Sequence, residues 1–430
     1  MSNNYINIEI SNELIEEINL INKKNDNLLY INKHYKDLSH LKTYSIDEGD
    51  TLEIDDAISL ERISNDYKIW IHIASPASHI DYDSVIDQYA RKLISSLYLA
   101  NSTIYMFPEI LINEIFSLRL KQNRRALSLG VVLNDDGSVI SSEIIQTIIT
   151  PNYQLSYEEA DELIDYAPKE EEDLSIISNI LDRRRSWRRR QGAKEIIEPY
   201  GKIIVKDENP IVKVIDQTLS RLLVSEAMIL YGNLISIYTK CNKIPVPYRV
   251  QEGINNINPS SYNSDNKILY NFFMKKSMGK TYYSSEPLRH NSLGLESYIQ
   301  ATSPIRRYSD LIVQYQLNRF INNKCLLPID EINKIIIEIN RLSKQNTNRF
   351  REDQRLWQNK WFKNNKSIEY NIMLLNWINR YKNICILYFI EYKFSSICFL
   401  KTKNQIKIGE IIRIKDITIN YKEILHFQLI

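Results

Sequence analysis

The chain has 430 residues, with 55 lysines and arginines, 53 aspartates and glutamates, and a formal net charge of +2. This length can bury one large domain and a small one, and the charge balance means that any basic surface is local rather than global. The four cysteines lack disulfide or metal-ligand spacing, which indicates a reduced, intracellular protein. We predict no secretory signal and no segment apolar and long enough to span a membrane.

The first predicted element is a helix at residues 13–21, followed by a polar linker. The sequence YKIWIHIASPASHI (residues 67–80) alternates apolar and polar side chains before Pro76, which predicts a central strand and a turn. Helical periodicity follows at residues 82–99, and a loop with aromatic residues at 101–108. Residues 126–133 and 139–150 predict a β-hairpin around the sequence NDDG (residues 134–137).

The rest of the chain is predicted to be helical until a final β-rich part. Ser156 with Glu159 three residues later is the pattern of a capping box. We predict further helices at residues 174–191, which is rich in arginine, 219–238, 305–322 and 329–361, the last of them one helix or two. Short β-rich runs at residues 384–392, 396–402, 408–414 and 424–430 predict a small barrel or a remnant of one.

The stretch TYSIDEGDTLEIDDAI (residues 43–58) concentrates acidic side chains, namely Asp47, Glu48, Asp50, Glu53, Asp55 and Asp56. These carboxylates repel one another unless a cation lies among them, and carboxylate oxygens are the ligands that Mg²⁺ and Mn²⁺ prefer. The spacing does not fit a calcium EF-hand loop. Apolar residues interleave with the acids, which argues against an acidic loop that simply lies in water, the alternative that composition leaves open.

A second dense segment is YIQATSPIRRYSDLIVQYQL (residues 298–317). Thr302, Ser303 and Pro304 predict a helix start. Arg306 and Arg307 would then lie in the first helical turn, where the helix dipole disfavours cations, and a nearby anion such as a phosphate would offset that effect. An ordinary helix whose arginines pair with surface acids is the alternative.

Five motifs occur in one order: IDDA, MFP (residues 106–108), SLR (117–119), EAM (226–228) and TSPIRRY (302–308). This order resembles the catalytic RNB domain of the ribonuclease II / ribonuclease R family, and the resemblance covers roughly residues 40–375. It implies an α+β fold, with a mixed, largely antiparallel sheet wrapped by helices around an RNA channel. Residues 1–39 would be a short extension and 380–430 a small OB/S1-like module, as in a compact member without N-terminal cold-shock domains, similar to cyanobacterial and plastid members.

Family members are Mg²⁺-dependent, processive 3′→5′ exoribonucleases that release nucleoside 5′-monophosphates. The resemblance implies that Asp47, Glu53, Asp55 and Asp56 hold two Mg²⁺ ions, with Mn²⁺ as the alternative metal. It implies that Arg306 neutralises charge on the scissile phosphate, and that Asp56, Arg306 and Tyr157 form the catalytic set.

The resemblance also implies contacts to single-stranded RNA. Tyr98 would stack on a base, and Glu226 and Glu352 would contact the RNA sugars. For these residues and Tyr157, packing or a surface pair is the alternative. The arginine-rich helix either lines the RNA channel or presents a solvated basic face.

The chain departs from the family pattern at several positions. Glu53 replaces an aspartate, Ile196 replaces an aromatic residue that closes the base stack, and Gln314 and Tyr315 stand where the family often has His-Arg. The changes at Glu53 and Ile196, with the missing OB domains, leave open a factor that binds RNA without cleaving it. An open channel without OB domains leaves open, more weakly, an endonuclease.

The small number of OB domains predicts weak RNA affinity or an RNA-binding protein partner for a monomeric chain. The richness in Ile and Asn favours the plastid stroma as the location, with a bacterial cytoplasm as the alternative.

Overall fold

The computed structural model describes residues 11–28, 35–49, 51–64, 66–253, 266–366, 368–401, 406–419 and 425–429. The helices are α1 (Asn12–Leu28), α2 (Val85–Leu93), α3 (Glu109–Leu111), α4 (Tyr157–Tyr166), α5 (Asp173–Arg190), α6 (Leu219–Cys241), α7 (Lys267–Ser277), α8 (Tyr308–Ile321) and α9 (Ile329–Asn364). Residues 1–10 and 29–34 of the predicted N-terminal extension lie outside the described residues, as does Asp50.

The strands of the N-terminal part are β1 (Lys36–Asp37), β2 (Thr43–Ile46), β3 (Asp56–Ile63), β4 (Asp66–Ala74), β5 (Leu97–Tyr98), β6 (Thr103–Ile104), β7 (Arg124–Leu133), β8 (Val139–Ile149), β9 (Tyr153–Leu155), β10 (Tyr200–Lys206), β11 (Asn209–Ile215), β12 (Tyr248–Gln251) and β13 (Thr281–Ser284). The strands of the C-terminal part are β14 (Tyr370–Asn379), β15 (Ile384–Phe389), β16 (Phe394–Lys401), β17 (Ile411–Ile419) and β18 (Leu425–Leu429).

The central sheet has seven strands in the order β1-β8-β7-β4-β3-β2-β9. Neighbours from β8 to β2 pair antiparallel, whereas β1 and β9 pair parallel at the two edges. The prediction of a mixed, largely antiparallel sheet is therefore confirmed. The hairpin of β7 and β8 and the capping box of Ser156 and Glu159 also form as predicted.

Helices cover both faces of this sheet and bury a separate hydrophobic core on each. One core includes Trp70 and Phe116 with apolar residues of α1, α2 and α9, and the other includes Ile71 and Leu230 with apolar residues of α4, α5 and α6. Helix α8 belongs to both cores, and every residue from Tyr308 to Asn318 is buried. Because α8 runs through the middle of the protein, the core fixes the position of the residues at its N-terminus.

Helix α6 is long and apolar enough by composition to cross a membrane, so the prediction that the chain contains no such segment is wrong. Within its most apolar stretch 61% of the residues are buried inside the protein. Leu223, Leu230 and Ile235 pack in the core against the sheet. The core helix of a globular protein satisfies the same length and apolarity criteria.

The C-terminal strands form a closed barrel in the order β14-β15-β16-β18-β17, with β16 and β18 parallel. Its first strand begins at Tyr370, before the predicted start of the module at residue 380. The barrel interior is packed with Tyr370, Phe389 and Phe394 and with the thiols of Cys385 and Cys398. The closed barrel confirms the first of the two predicted forms of this part, a small barrel rather than a remnant.

Other local differences from the predicted elements have physical causes. The predicted helix at residues 82–99 is only α2, because Ile94 adopts a left-handed conformation with φ 57° and the chain then enters β5. The hairpin of β10 and β11 was not predicted. Between its strands, Asp207 and Glu208 both have positive φ, as a tight hairpin turn requires. The predicted helix at residues 329–361 is a single helix, α9.

Part of the pH dependence of stability follows from His72, which lies in β4 at the centre of the sheet. Its ring nitrogens contact Ser59 Oγ at 2.9 Å and Ser128 Oγ at 2.7 Å, and burial lowers its pKa to about 3. An unfolded histidine has a pKa of about 6.5, so unfolding takes up a proton below that pH and stability falls as the pH drops from about 6.5 towards 3.

We predict that His72→Asn removes this pH dependence. Urea unfolding is measured at pH 7 and at pH 5. Between these two pH values the free energy of unfolding of the parent should fall by about 2 kcal/mol more than that of His72→Asn. The control is His40→Asn, which changes an exposed histidine and should behave as the parent does. Equal losses in the parent and His72→Asn would contradict the account.

Candidate active site

The acidic segment connects β2 to β3, which are neighbours in the sheet. Antiparallel pairing of Thr43 with Ser59 means that the chain leaves the sheet at Ile46 and re-enters it at Asp56. The backbone N–H of Ile54 donates to Ser117 Oγ at 3.2 Å, and Ser117 Oγ donates to the carbonyl of Leu52 at 2.6 Å. This anchoring buries the segment from Glu53 to Asp55, so the segment is not a solvated surface loop.

Asp55 joins this segment to the TSPIRRY segment. Its Oδ1 accepts from the backbone N–H of Ile305 and its Oδ2 accepts from Nε of Arg306, both at 2.9 Å. Asp55 is only 2% exposed. Burial raises the pKa of Asp55, and the positive charge of Arg306 opposes that rise. Burial by itself would lower the pKa of Arg306, but Asp55 and Asp56 raise it, so the guanidinium stays charged.

The predicted placement of Arg306 and Arg307 in the first turn of a helix is wrong. Helix α8 starts at Tyr308, and Arg307 is its N-cap residue. Arg307 Nη2 donates to Asp310 Oδ2 at 2.6 Å, while Asp55 holds Arg306. Each arginine thus has its own carboxylate, and the two side chains have different roles.

Glu53, the residue that departs from the family pattern, contacts the strand that carries Tyr98. Ser96 Oγ donates to Glu53 Oε1 at 2.5 Å, and the hydroxyl of Tyr98 donates to Oε2. Burial raises the pKa of Glu53 although both hydrogen bonds oppose the rise. The Tyr98 side chain is 38% exposed, so its hydroxyl is anchored while part of its ring is accessible.

Asp47, Asp56 and Tyr157 form a second group at the same site. Asp47 and Asp56 are half-buried, and burial together with the charge of Asp47 raises the pKa of Asp56 to about 7. Burial and the charges of Asp47 and Asp56 also raise the pKa of Tyr157, which therefore remains a neutral hydroxyl. Among the described residues, no donor to the Asp56 carboxylate lies within hydrogen-bonding distance.

Arg221 in the first turn of α6 supports this group. Its guanidinium lies 3.8 Å from the centre of the Tyr157 ring, and its Nη2 donates to Glu48 Oε1 at 2.7 Å. Lys213 of β11 donates to the other oxygen of Glu48 at 2.9 Å. The backbone N–H of Glu48 in turn donates to Asp47 Oδ1 at 2.8 Å. One arginine therefore fixes Tyr157 and the loop of Asp47 relative to each other.

The four predicted metal ligands, Asp47, Glu53, Asp55 and Asp56, differ in their ability to bind a metal ion. Across the described ranges, no three His, Cys, Asp or Glu side chains are grouped so that they could hold a metal ion together. Both oxygens of Glu53 and of Asp55 accept hydrogen bonds from protein donors, whereas Asp47 accepts them at Oδ1 and repels Asp56 at the same site. Proteins usually bind Mg²⁺ through one or two carboxylates together with water and substrate phosphates. The Asp47–Asp56 pair fits such a divalent cation.

The two other glutamates assigned from the resemblance lie elsewhere. Glu226 in α6 is 2% exposed, and its carboxylate accepts from Nη2 of Arg188 at 2.6 Å. Glu352 is exposed in α9. Its neighbour Asp353 accepts from the backbone N–H of Ala100 at 2.8 Å, so this part of α9 lies beside the strand of Tyr98. Contact of Glu226 and Glu352 with RNA stays a prediction.

The arginines of α5 have protein partners. Arg184 and Arg188 are buried, Arg184 donates to Gly137 O at 3.1 Å, and Arg188 binds Glu226. Arg185 Nε donates to Glu195 Oε1 at 3.0 Å. The buried arginines therefore connect α5 to α6 and to the β7–β8 turn, and this helix is not simply a solvated basic face.

Several residues of the site were not found from the sequence. Ser96, Glu48, Lys213 and Arg221 match no motif, and each acts through a partner that is remote in the chain. The only signal was the position of Glu48 within the acidic stretch.

A model of the family described as "RNB domain" matches residues 35–323. "Ribonuclease II, chloroplastic/mitochondrial" of Arabidopsis thaliana is 32% identical over 86% of this chain and 47% of its own length. A ribonuclease of Synechocystis sp. is 33% identical over 80% of this chain and 52% of its own. The chain thus spans about half the length of these curated relatives.

Solved structures share the fold. Mycoplasma genitalium RNase R in complex with ribose methylated single-stranded RNA has a TM-score of 0.84 and 18% identity, covering 96% of this chain and 75% of its own. Yeast Ssd1, a pseudonuclease, has a TM-score of 0.68 and 18% identity, covering 87% and 51%. Together with the match of the family model over most of the chain, these findings show that the chain belongs to the RNB domain family.

Proposed function

We propose that this chain is a metal-dependent 3′→5′ exoribonuclease that hydrolyses single-stranded RNA to nucleoside 5′-monophosphates. The observation that carries the proposal is the Asp55–Arg306 contact, which holds a charged guanidinium beside the half-buried pair of Asp47 and Asp56. A cation beside the carboxylates of Asp47 and Asp56 suits a phosphodiester, because the guanidinium can bind its oxygens and the carboxylates can bind a metal.

Magnesium is the metal that we propose, with manganese as the alternative. Asp47 and Asp56 would hold it first, and the predicted ligands Glu53 and Asp55 would join them only by giving up their hydrogen bonds to protein donors. A bound divalent ion would generate hydroxide at neutral pH and stabilise the leaving 3′ oxygen. Arg306 would neutralise the charge that develops on the scissile phosphate, and the neutral hydroxyl of Tyr157 would donate a hydrogen bond to it.

Tyr98, Glu352 and Glu226 are the residues that we propose for RNA binding. The accessible ring of Tyr98 suits stacking on a base, which does not depend on sequence. Glu352 is exposed and its neighbour Asp353 contacts Ala100 just after the Tyr98 strand, so Glu352 would contact a ribose hydroxyl of the bound RNA. The carboxylate of Glu226 is bound to Arg188. Glu226 would contact RNA directly only where RNA binding releases it from Arg188, and would otherwise act by holding Arg188 in place.

A second candidate function is RNA binding without cleavage. Both carboxylate oxygens of Glu53 accept hydrogen bonds from Ser96 and Tyr98, which competes with a metal. The fold is also that of the pseudonuclease Ssd1.

We further propose that the chain is a monomer in the plastid stroma, with a bacterial cytoplasm as the alternative location. We also propose that an RNA-binding protein partner adds affinity for RNA. The name of the Arabidopsis relative, which is chloroplastic/mitochondrial, is compatible with the plastid, and the relative in Synechocystis is compatible with a bacterial cytoplasm.

We predict that Asp56→Asn abolishes cleavage because it removes one carboxylate of the proposed metal pair. The assay is a 5′-labelled single-stranded RNA with Mg²⁺ or with EDTA. The parent should give a ladder that shortens from the 3′ end, and the variant should be slower by at least about 100-fold.

The matched control is Asp66→Asn, which changes an exposed aspartate at the start of β4 and should cleave as the parent does. Binding of the same RNA with no cleavage in Mg²⁺ or Mn²⁺ by the parent would reject the exonuclease and favour the binding factor. Internal fragments without a ladder would favour an endonuclease.

We predict that Arg221→Gln raises the Mg²⁺ concentration needed for half-maximal cleavage by about tenfold, because it releases the loop of Asp47. Lys213→Gln removes the more exposed contact to the same Glu48 carboxylate and should have a smaller effect. For both variants, cleavage rates are measured over a range of Mg²⁺ concentrations at saturating RNA, and over a range of RNA concentrations at saturating Mg²⁺. A higher KM for RNA with an unchanged Mg²⁺ requirement would instead mean that Arg221 contacts the substrate.

A further inference from the structure

A cavity of about 580 Å³ lies at the other end of α8 from the acidic cluster. Its wall is made by the last turns of α8, the turn after β4, and β7 and β8. Arg307 caps the start of α8 and Arg319 lies in its last turn, so the helix rises about 18 Å between them. The cavity is therefore a separate place in the protein, and none of the residues assigned to cleavage lines it.

The charges on the wall favour an anion. Arg125, Arg319 and Lys324 line the cavity, and Asp81 is the acidic side chain among the described lining residues. The Arg125 guanidinium is largely buried, lies 5.1 Å from the centre of the Tyr35 ring and donates to the carbonyl of Ser78 at 3.2 Å. Arg319 is half-buried and Lys324 is exposed, so an anion bound here would meet one fixed cation, Arg125, and two cations nearer the surface.

The neutral side chains of the wall also offer donors. Gln146 Nε2 donates to Asn318 Oδ1 at 3.0 Å, and Asn322 Nδ2 donates to Gln146 Oε1 at 3.4 Å. The side-chain oxygens of Asn318 and Gln146 therefore already accept hydrogen bonds. Asn318 is 9% exposed, and its Nδ2 has no acceptor among the described residues. A buried amide without an acceptor is unfavourable, so the wall lacks an acceptor that a ligand oxygen could supply.

The size and the aromatic lining indicate a ligand larger than a free inorganic ion. Pockets for small molecules measure about 300–1,000 Å³, and a single phosphate would leave most of this cavity empty. Tyr35, Tyr82 and Tyr315 add ring surface to the wall, on which a base or a sugar can pack. Tyr315 is also a position at which this chain departs from the family pattern.

We propose that this cavity is a second ligand site that binds a phosphate ester of the size of a nucleoside monophosphate. The phosphate contacts Arg319 and Lys324 at the cavity wall, and the organic part packs against the tyrosines. The site does not depend on the proposed nuclease activity, because its residues are not those of the acidic cluster.

The test is isothermal titration calorimetry of the full chain in EDTA with adenosine 5′-monophosphate, inorganic phosphate and a single-stranded RNA oligonucleotide. We expect the monophosphate to bind, Lys324→Gln and Arg319→Gln each to weaken it about tenfold, and inorganic phosphate to bind more weakly. Lys344→Gln, an exposed lysine on α9 away from the cavity, is the control and should bind as the parent does.

Arg306→Lys separates this site from the acidic cluster. Binding that persists in Arg306→Lys and falls in Lys324→Gln supports the cavity, and this result stands whether or not the chain cleaves RNA. Binding that is lost in Arg306→Lys and unchanged in both cavity variants overturns the proposal. It is equally overturned by no heat from the monophosphate at millimolar concentration, or by a cavity-dependent affinity for the oligonucleotide alone.

Discussion

The contact between Asp55 and Arg306 is the interaction on which the rest of the site depends. It joins the start of β3 to the segment that precedes α8, and the two residues are far apart in the chain. Asp55 is buried, so loss of the guanidinium would leave an unpaired carboxylate at a penalty of about 3 kcal/mol, after allowance for the partial exposure of Arg306. Because α8 is buried on all sides, Arg306 stays beside the acidic segment even before any substrate arrives.

Other contacts extend from this pair in two directions. Glu53 connects the acidic segment to Ser96 and the hydroxyl of Tyr98, so the proposed base-stacking ring is tied to a proposed metal ligand. Arg221 connects the loop of Asp47 to Tyr157 through Glu48. Between these two supports lie Asp47 and Asp56. Burial raises the pKa of Asp47, and burial together with repulsion from Asp47 raises the pKa of Asp56. A divalent cation would relieve that repulsion, which is why the site suits a metal and a phosphodiester together.

Local signals predicted much of the fold, whereas contacts between remote residues were out of reach. The β7–β8 hairpin, the capping box of α4 and the long helix α9 follow from periodicity and caps within a few residues. The motif order located Asp55, Asp56 and Arg306. The local pattern of Thr302, Ser303 and Pro304 resembles a helix start, so Arg306 was predicted inside a helix. In the structure remote Asp55 holds Arg306, and the helix starts at Tyr308. Glu226 pairs with Arg188, and Glu48 pairs with Arg221. Both pairings depend on tertiary packing, which leaves no local pattern in a single sequence.

The most direct test of the account is a titration of the chain with Mn²⁺, followed by electron paramagnetic resonance, without RNA. The account predicts saturable binding that Asp56→Asn weakens by at least about tenfold. Glu226→Gln, which changes a buried carboxylate bound to Arg188, should bind Mn²⁺ as the parent does. No binding by the parent, or equal binding by the parent and Asp56→Asn, would contradict the claim that the Asp47–Asp56 pair holds the metal.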